Sequence, residues 1–178
     1  MSTTDTTGKD SNAVADRASL LDAQGDGNEW LQFLLKDQHY ALSVSEVQEI
    51  LCAGDITPVP GAEHHVLGVI NVRGTIVTVV DARTRLSIDG EEDRKVDWTI
   101  ILEMKGLDVG LLVDDVHEVL IVDEDTIEKV PTESSEFVYG VVESERGMTT
   151  LLDAKRLILG TATDTADGSA EAGTHAIA

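Results

Sequence analysis

Short apolar runs separated by turn residues follow one another through the middle of the chain. They are WLQFLL (30–35), HYALSV (39–44), GVINV (68–72), TIVTVV (75–80), WTIILEM (98–104), DVGLLV (108–113), EFVYGVV (136–142) and MTTLL (148–152). Runs of this length and β-branched content predict the strands of small barrels and argue against βαβ units. Tight hairpin turns are expected at Asp37-Gln38 and at Lys105-Gly106.

Three other stretches have the character of short helices. Four apolar residues have helical spacing, and Ser43 or Ser45 could be the N-cap of the helix that they form. The four residues are Val44, Val47, Ile50 and Leu51. This spacing predicts one or two helical turns. The segments DARTRL (81–86) and DAKRLI (153–158) predict two more turns.

The two halves of this pattern repeat each other. WLQFLL aligns with WTIILE at an offset of 68, YALSVSEVQEIL with VGLLVDDVHEVL at 69, ITPVP with IEKVP at 71, and GVINVRGTIVTVVDAR with GVVESERGMTTLLDAK at 72. The offset only grows, as expected for one ancestral unit that was duplicated and then gained small insertions. The sequence therefore predicts a mainly β fold of two related barrels with brief helices, with repeat units at 28–97 and 98–159.

Composition and charge indicate which partners this domain can bind and the solution conditions in which it works. The 34 acidic against 13 basic residues give a net charge of −21, which excludes nucleic-acid binding because that binding depends on clustered Lys and Arg. The 42% hydrophobic content still supports a core. An acidic, lysine-poor folded domain suggests the high-salt cytoplasm of a salt-in halophile. Residues 1–27 and 160–178 have the composition of disordered tails.

The remaining polar motifs are weak evidence for chemistry. One cysteine and the lack of a leader or an apolar span favour a cytosolic protein. The adjacent His64 and His65 cannot converge on one ion. DAQGDGNE (22–29) lacks the order of a calcium loop, and GLLVDDV (110–116) lacks the rest of a receiver domain. We expect no catalytic residues, metal or cofactor, and no enzymatic activity.

Arg73 and Asp81, which interrupt an otherwise apolar stretch, point to a family. VQEI (47–50), TPVPGAEHHVLGVINVRGTIVTVVDAR (57–83) and VGLLVDDVHEVL (109–120) resemble the CheW family of chemotaxis coupling proteins, over residues 28–159. Two positions depart from the family pattern: Thr78 stands where proline is usual, and Ala82 where leucine is usual. The acidic bias extends this interpretation to a family member from a halophilic archaeon.

The resemblance implies a fold and a set of partners. Such proteins have two five-stranded SH3-like barrels and couple the cytoplasmic tip of methyl-accepting chemoreceptors to the regulatory domain of the histidine kinase CheA. They are adaptors of a two-component system, without membrane insertion, and are recruited to membrane-associated arrays. Two alternatives stay open: a scaffold for a different kinase or a pilus-type array, and a small-molecule enzyme.

The resemblance also implies site residues. The positions that match receptor-facing ones in the family are Val44, Val47, Glu49, Ile50, Gly68, Arg73 and Gly74. In this interpretation the aliphatic side chains form a groove for a receptor helix and the two charges fix its register. Arg73-Gly74 is expected at a turn and Asp81 as a helix cap. Val116 and Val119 are expected to face the kinase, and Arg146 is interpreted as a surface residue.

Overall fold

The computed structural model describes residues 19–21, 28–88, 98–131 and 136–160. Its strands are β1 (Glu29–Leu35), β2 (Gln38–Ser43), β3 (Val47–Cys52), β4 (Val66–Val72), β5 (Thr75–Asp81), β6 (Trp98–Met104), β7 (Leu107–Val113), β8 (Asp115–Ile121), β9 (Val138–Ser144) and β10 (Gly147–Leu152). The helices are α1 (Ala82–Arg85) and α2 (Ala154–Leu159), and 3-10 turns lie at Ser19–Leu21, Val44–Glu46 and Glu124–Thr126. The predicted tails lie outside the described residues, except for 19–21 and Gly160.

The strands form two five-stranded sheets that follow the duplication. Barrel A has the order β8-β1-β2-β10-β9, and barrel B has the order β3-β6-β7-β5-β4. Replacing each strand by its counterpart from the other repeat converts one order into the other. The predicted fold class of two small SH3-like barrels is confirmed. Each barrel nevertheless combines strands from both halves of the chain, so the strands are exchanged between the repeats.

The same irregular contact occurs in both barrels beside a glycine. An isolated β-bridge joins a loop residue to the residue after that glycine, as Thr57–Val69 after Gly68 and Glu128–Val141 after Gly140. A Cβ at Gly68 would lie 2.1 Å from the carbonyl oxygen of Thr57, so the loop approaches closely only because the side chain is absent. This shared contact places Gly68 and Gly140 at equivalent positions, as the repeat alignment predicts.

Alternating strand faces build three apolar clusters. Leu31, Phe33 and Leu35 of β1 enter a large central cluster, which also takes residues from both barrels. Trp30, on the opposite face of β1, belongs to a smaller cluster inside barrel A, and Ile101 belongs to its counterpart inside barrel B. Because the central cluster holds buried residues from both sheets, it joins the two barrels.

A polar network ties helix α1 to the strand junction after β7. The Asp81 side chain accepts hydrogen bonds from the backbone N–H of Arg83 at 3.0 Å and from Thr84 Oγ1 at 2.9 Å, which confirms its predicted capping role. The guanidinium of Arg83 pairs with Asp114, and the two side chains are 10% and 14% exposed. Asp114 Oδ2 also accepts the backbone N–H of Lys36. One acid of the Asp114-Asp115 sequence is therefore structural.

Two local predictions differ from the structure. The helical spacing from Val44 to Leu51 gives one 3-10 turn, Val44–Glu46, and the rest is strand β3. A β-bulge between Val47 and Glu49 disturbs the alternation that would have marked this strand. The first hairpin turns at Lys36-Asp37, one residue before the predicted place, whereas the turn at Lys105-Gly106 is confirmed.

Candidate functional site

Arg73 is presented by a tight turn between β4 and β5. Arg73 and Gly74 have φ values of 50° and 87°, and two positive φ angles in a two-residue hairpin turn are typical of type I′. The side-chain oxygen of Asn71 accepts the backbone N–H of Gly74 at 2.8 Å, which fixes the turn. The Arg73 side chain is 77% exposed, as predicted for a residue that projects from the barrel.

The carboxylate of Glu49, on β3, accepts hydrogen bonds from both terminal nitrogens of the Arg73 guanidinium. Arg73 Nη1 donates to Glu49 Oε2 at 3.1 Å, and Nη2 donates to Oε1. β3 and β4 are the two end strands in the order of barrel B, so the pair spans its open side. An exposed ion pair contributes less than about 1 kcal/mol to stability. Its bidentate geometry instead fixes where one negative and one positive group meet solvent.

A cavity of about 570 Å³ lies beside the pair. We call it groove 1. Its walls include the N-terminal 3-10 turn, β3, the end of β4 with the following turn, and β7, through Leu21, Gln48, Glu49, Val72, Arg73 and Asp108. The lining combines aliphatic side chains with three charged ones, so an apolar surface and fixed charges lie side by side.

The aliphatic residues predicted for the receptor site occupy different depths. Val44 and Val47 are half-buried and pack against the central cluster, so part of each side chain is accessible. Ile50 is 0% exposed and belongs to that cluster. Gly68 is buried beneath the loop at Thr57. Direct contact with a partner is therefore open to the two valines, whereas the other two residues support the surface from below.

Barrel A carries a second carboxylate–guanidinium pair that the sequence interpretation missed. Arg146 Nε donates to Glu118 Oε1 at 2.9 Å, and both side chains are about half exposed. Glu118 lies on end strand β8 and Arg146 in the β9–β10 turn, so this pair repeats the arrangement of Glu49 and Arg73. The repeat alignment could have predicted this pair, because the offset of 69 aligns Glu118 with Glu49.

A cavity of about 800 Å³, which we call groove 2, lies between the end strands of barrel A. Ile121 and Met148 line it and are both exposed. Of the two residues predicted to face the kinase, Val119 lines groove 2 and is half-buried. Val116 is 0% exposed in the central cluster, so its side chain supports β8 from inside.

Other titratable side chains that could take part in chemistry are engaged in local contacts. His65 Nε2 lies 3.3 Å from Glu63, and burial is the main cause that lowers the pKa of His65. Within the described ranges, no group of three or more His, Cys, Asp or Glu side chains is arranged to hold a metal ion. No helix among those same residues has the length and apolar character needed to cross a membrane.

Comparison with known proteins gives consistent matches across this fold. The model of the CheW-like domain family matches residues 29–161. Chemotaxis protein CheW of Bacillus subtilis is 30% identical over 136 residues, which cover 74% of this chain and 87% of that protein. Chemotaxis protein CheW of Thermotoga maritima is 33% identical over 132 residues, covering 73% and 87%. The crystal structure of the scaffolding protein TtCheW from Thermoanaerobacter tengcongensis matches with a TM-score of 0.69 and 31% identity, covering 74% of this chain and 92% of that one.

Proposed function

The chain belongs to the CheW family of chemotaxis coupling adaptors, and from this we propose that it joins the cytoplasmic tip of a methyl-accepting chemoreceptor to the regulatory domain of the histidine kinase CheA. The observation that carries the proposal is the Glu49–Arg73 pair across the open side of barrel B, beside groove 1. The adaptor works by binding and not by catalysis.

The receptor surface combines apolar contact with fixed charges. A helix from the receptor tip buries aliphatic side chains against Val44 and Val47, and association of this kind draws its free energy from the apolar area removed from water. Arg73 and Glu49 select a partner with complementary polar groups and set its register. Ile50 and Gly68 act indirectly, because they hold β3 and β4 in place.

The kinase surface lies on the other barrel. Val119 is the accessible member of the predicted pair, and the exposed Ile121 adds apolar area on the same strand. The regulatory domain of the kinase contacts this end of β8 in our proposal, so the two partners bind to different barrels. An adaptor needs this separation because both partners must be bound at the same time.

The acidic surface also supports a proposal about the solution conditions in which the protein works. The net charge of −21 fits a chain that works in the cytoplasm of a salt-in halophile, where concentrated salt screens repulsion within about 3 Å. There the adaptor is recruited to receptor arrays at the membrane through its partners.

Binding measurements with each partner separately test the proposal. Titration calorimetry in molar KCl should detect a complex with a chemoreceptor tip fragment and another with the CheA regulatory domain. Arg73→Glu should weaken receptor binding at least tenfold and leave kinase binding within twofold of the native value. Arg146→Glu, which reverses the equivalent charge on barrel A, should retain receptor binding. Equal receptor affinity of Arg73→Glu and the native protein would contradict the proposed site.

A further inference from the structure

A short N-terminal segment of this chain rests on the surface assigned to the receptor. The 3-10 turn Ser19–Leu21 places two adjacent leucines, Leu20 and Leu21, half-buried against the central cluster. Val44 and Val47, the accessible aliphatic residues of the receptor surface, pack against that same cluster. The cluster therefore connects the segment with the two valines, and Leu21 also lines groove 1 beside Glu49 and Arg73 of the proposed receptor surface.

Contacts on two sides locate this turn between the barrels. It contacts β8 of barrel A. On its other side, Leu21 lines groove 1 together with Gln48, Glu49 and Arg73 of barrel B. β3 and β8 are each an end strand of their sheet. Leu21 of the turn thus forms part of the wall of groove 1, and the side chain that the turn places there is aliphatic.

We propose that Ser19–Leu21 is an internal ligand of groove 1, and that a receptor helix must displace it to bind. The inference rests on the proposed function and deepens it, because the internal ligand shows the chemistry that the groove accepts. That chemistry is one helical turn with two adjacent aliphatic side chains, next to a carboxylate–guanidinium pair. The partner is expected to present the same feature on its helix.

Competition by a tethered segment has a defined effect on affinity. When a binding-competent state is populated only fractionally, the apparent Kd rises by the inverse of that fraction. A segment that blocks receptor binding at the groove for about nine-tenths of the time would raise the apparent Kd about tenfold. Removing its two leucine side chains should restore the intrinsic affinity, so a variant of the N-terminal segment gains receptor binding although it loses apolar contacts.

The test uses the full chain with Leu20→Ser and Leu21→Ser combined, and Leu159→Ser as the matched control. Leu159 is an exposed leucine at the end of α2 and has no part in either groove. Methyl resonances of Ile50 and Val72, which line groove 1 together with Leu21, are recorded without any partner, and the Kd for a chemoreceptor tip fragment is then measured. We expect methyl shifts and a three- to tenfold lower Kd in the double variant, and neither change in the control.

Each other outcome has one meaning. Unchanged methyl resonances would overturn the internal ligand, whatever the receptor does. Shifted resonances with an unchanged Kd would overturn the competition and leave the proposed function intact. If neither the native protein nor the variant binds the receptor fragment, the proposed function fails together with the competition. In that case the methyl shifts still decide whether the segment lies against the groove.

Discussion

Replacing Gly68 by alanine should destabilise the protein far more than the loss of one small residue suggests. Gly68 has φ +150°, and an added Cβ would lie 2.1 Å from the carbonyl oxygen of Thr57 and 2.7 Å from its carbonyl carbon. The loop must move away, which breaks the two 2.9 Å hydrogen bonds between Thr57 and Val69. Two such bonds contribute about 2 kcal/mol, and the strained backbone adds about 1 kcal/mol or more.

A loss of about 3 kcal/mol predicts a melting temperature lower by about 6–12 °C for a chain of this size. Two glycines provide matched comparisons. Gly140→Ala meets Ile127 Cγ2 at 2.4 Å and the carbonyl oxygen of Glu128 at 2.9 Å, a wider approach to the backbone than at Gly68, and Gly140 has no positive φ, so its loss should be smaller. Gly54→Ala meets nothing within 4 Å and should stay within about 0.5 kcal/mol of the native protein. Calorimetry measures all three, and a Gly68→Ala melting temperature within 2 °C of the native value would refute the packing argument.

Three further predictions concern charge. Arg83→Met should lower the free energy of unfolding in urea by about 3 kcal/mol, because Asp114 loses its nearly buried partner. Arg156→Met removes an exposed pair and should lower it by less than about 0.5 kcal/mol, and equal losses in the two variants would contradict this prediction. Burial lowers the pKa of His65, so the unfolded chain binds a proton more tightly than the folded one, and stability falls as the pH drops through about 6.5. His65→Gln should remove this pH dependence between melts at pH 7.5 and 5.5, whereas His64→Gln, which removes only a minor cause of the shift, should retain most of it. Raising KCl from 0.1 M to molar concentration should raise the melting temperature, and a flat or falling curve would exclude adaptation to high salt.

Sequence alternation was sufficient for most strands and failed at two equivalent ones. Eight apolar runs became strands, but β3 and β8 were hidden. In β3 a bulge after Val47 breaks the alternation, and β8 shows no regular alternation of buried and exposed residues. The exchange of strands between the barrels could not be predicted either. Two similar units can pair with themselves or with each other, and the choice depends on three-dimensional packing.

Prediction from the sequence succeeded where a residue's structural role depends on its neighbours in the chain. The turn at Arg73-Gly74 and the cap at Asp81 depend on neighbouring residues, and the structure has both. Depth within the fold could not be inferred for Ile50 or Val116, because both lie in strands whose alternation is irregular. The ion pair between Glu118 and Arg146 could have been predicted if the repeat alignment had been applied to single charged residues as well as to apolar runs.

Coupling itself is the central claim, and reconstitution measures it most directly. Membranes that contain a chemoreceptor are combined in molar KCl with CheA and this protein, and kinase autophosphorylation is followed. The native adaptor is expected to raise kinase activity only when receptor is present. Arg73→Glu should reduce activity to the adaptor-free level without lowering the melting temperature by more than about 2 °C. Arg156→Glu, an exposed charge reversal on α2, should activate normally. Full activation by Arg73→Glu, or activation that does not depend on receptor, would contradict the account.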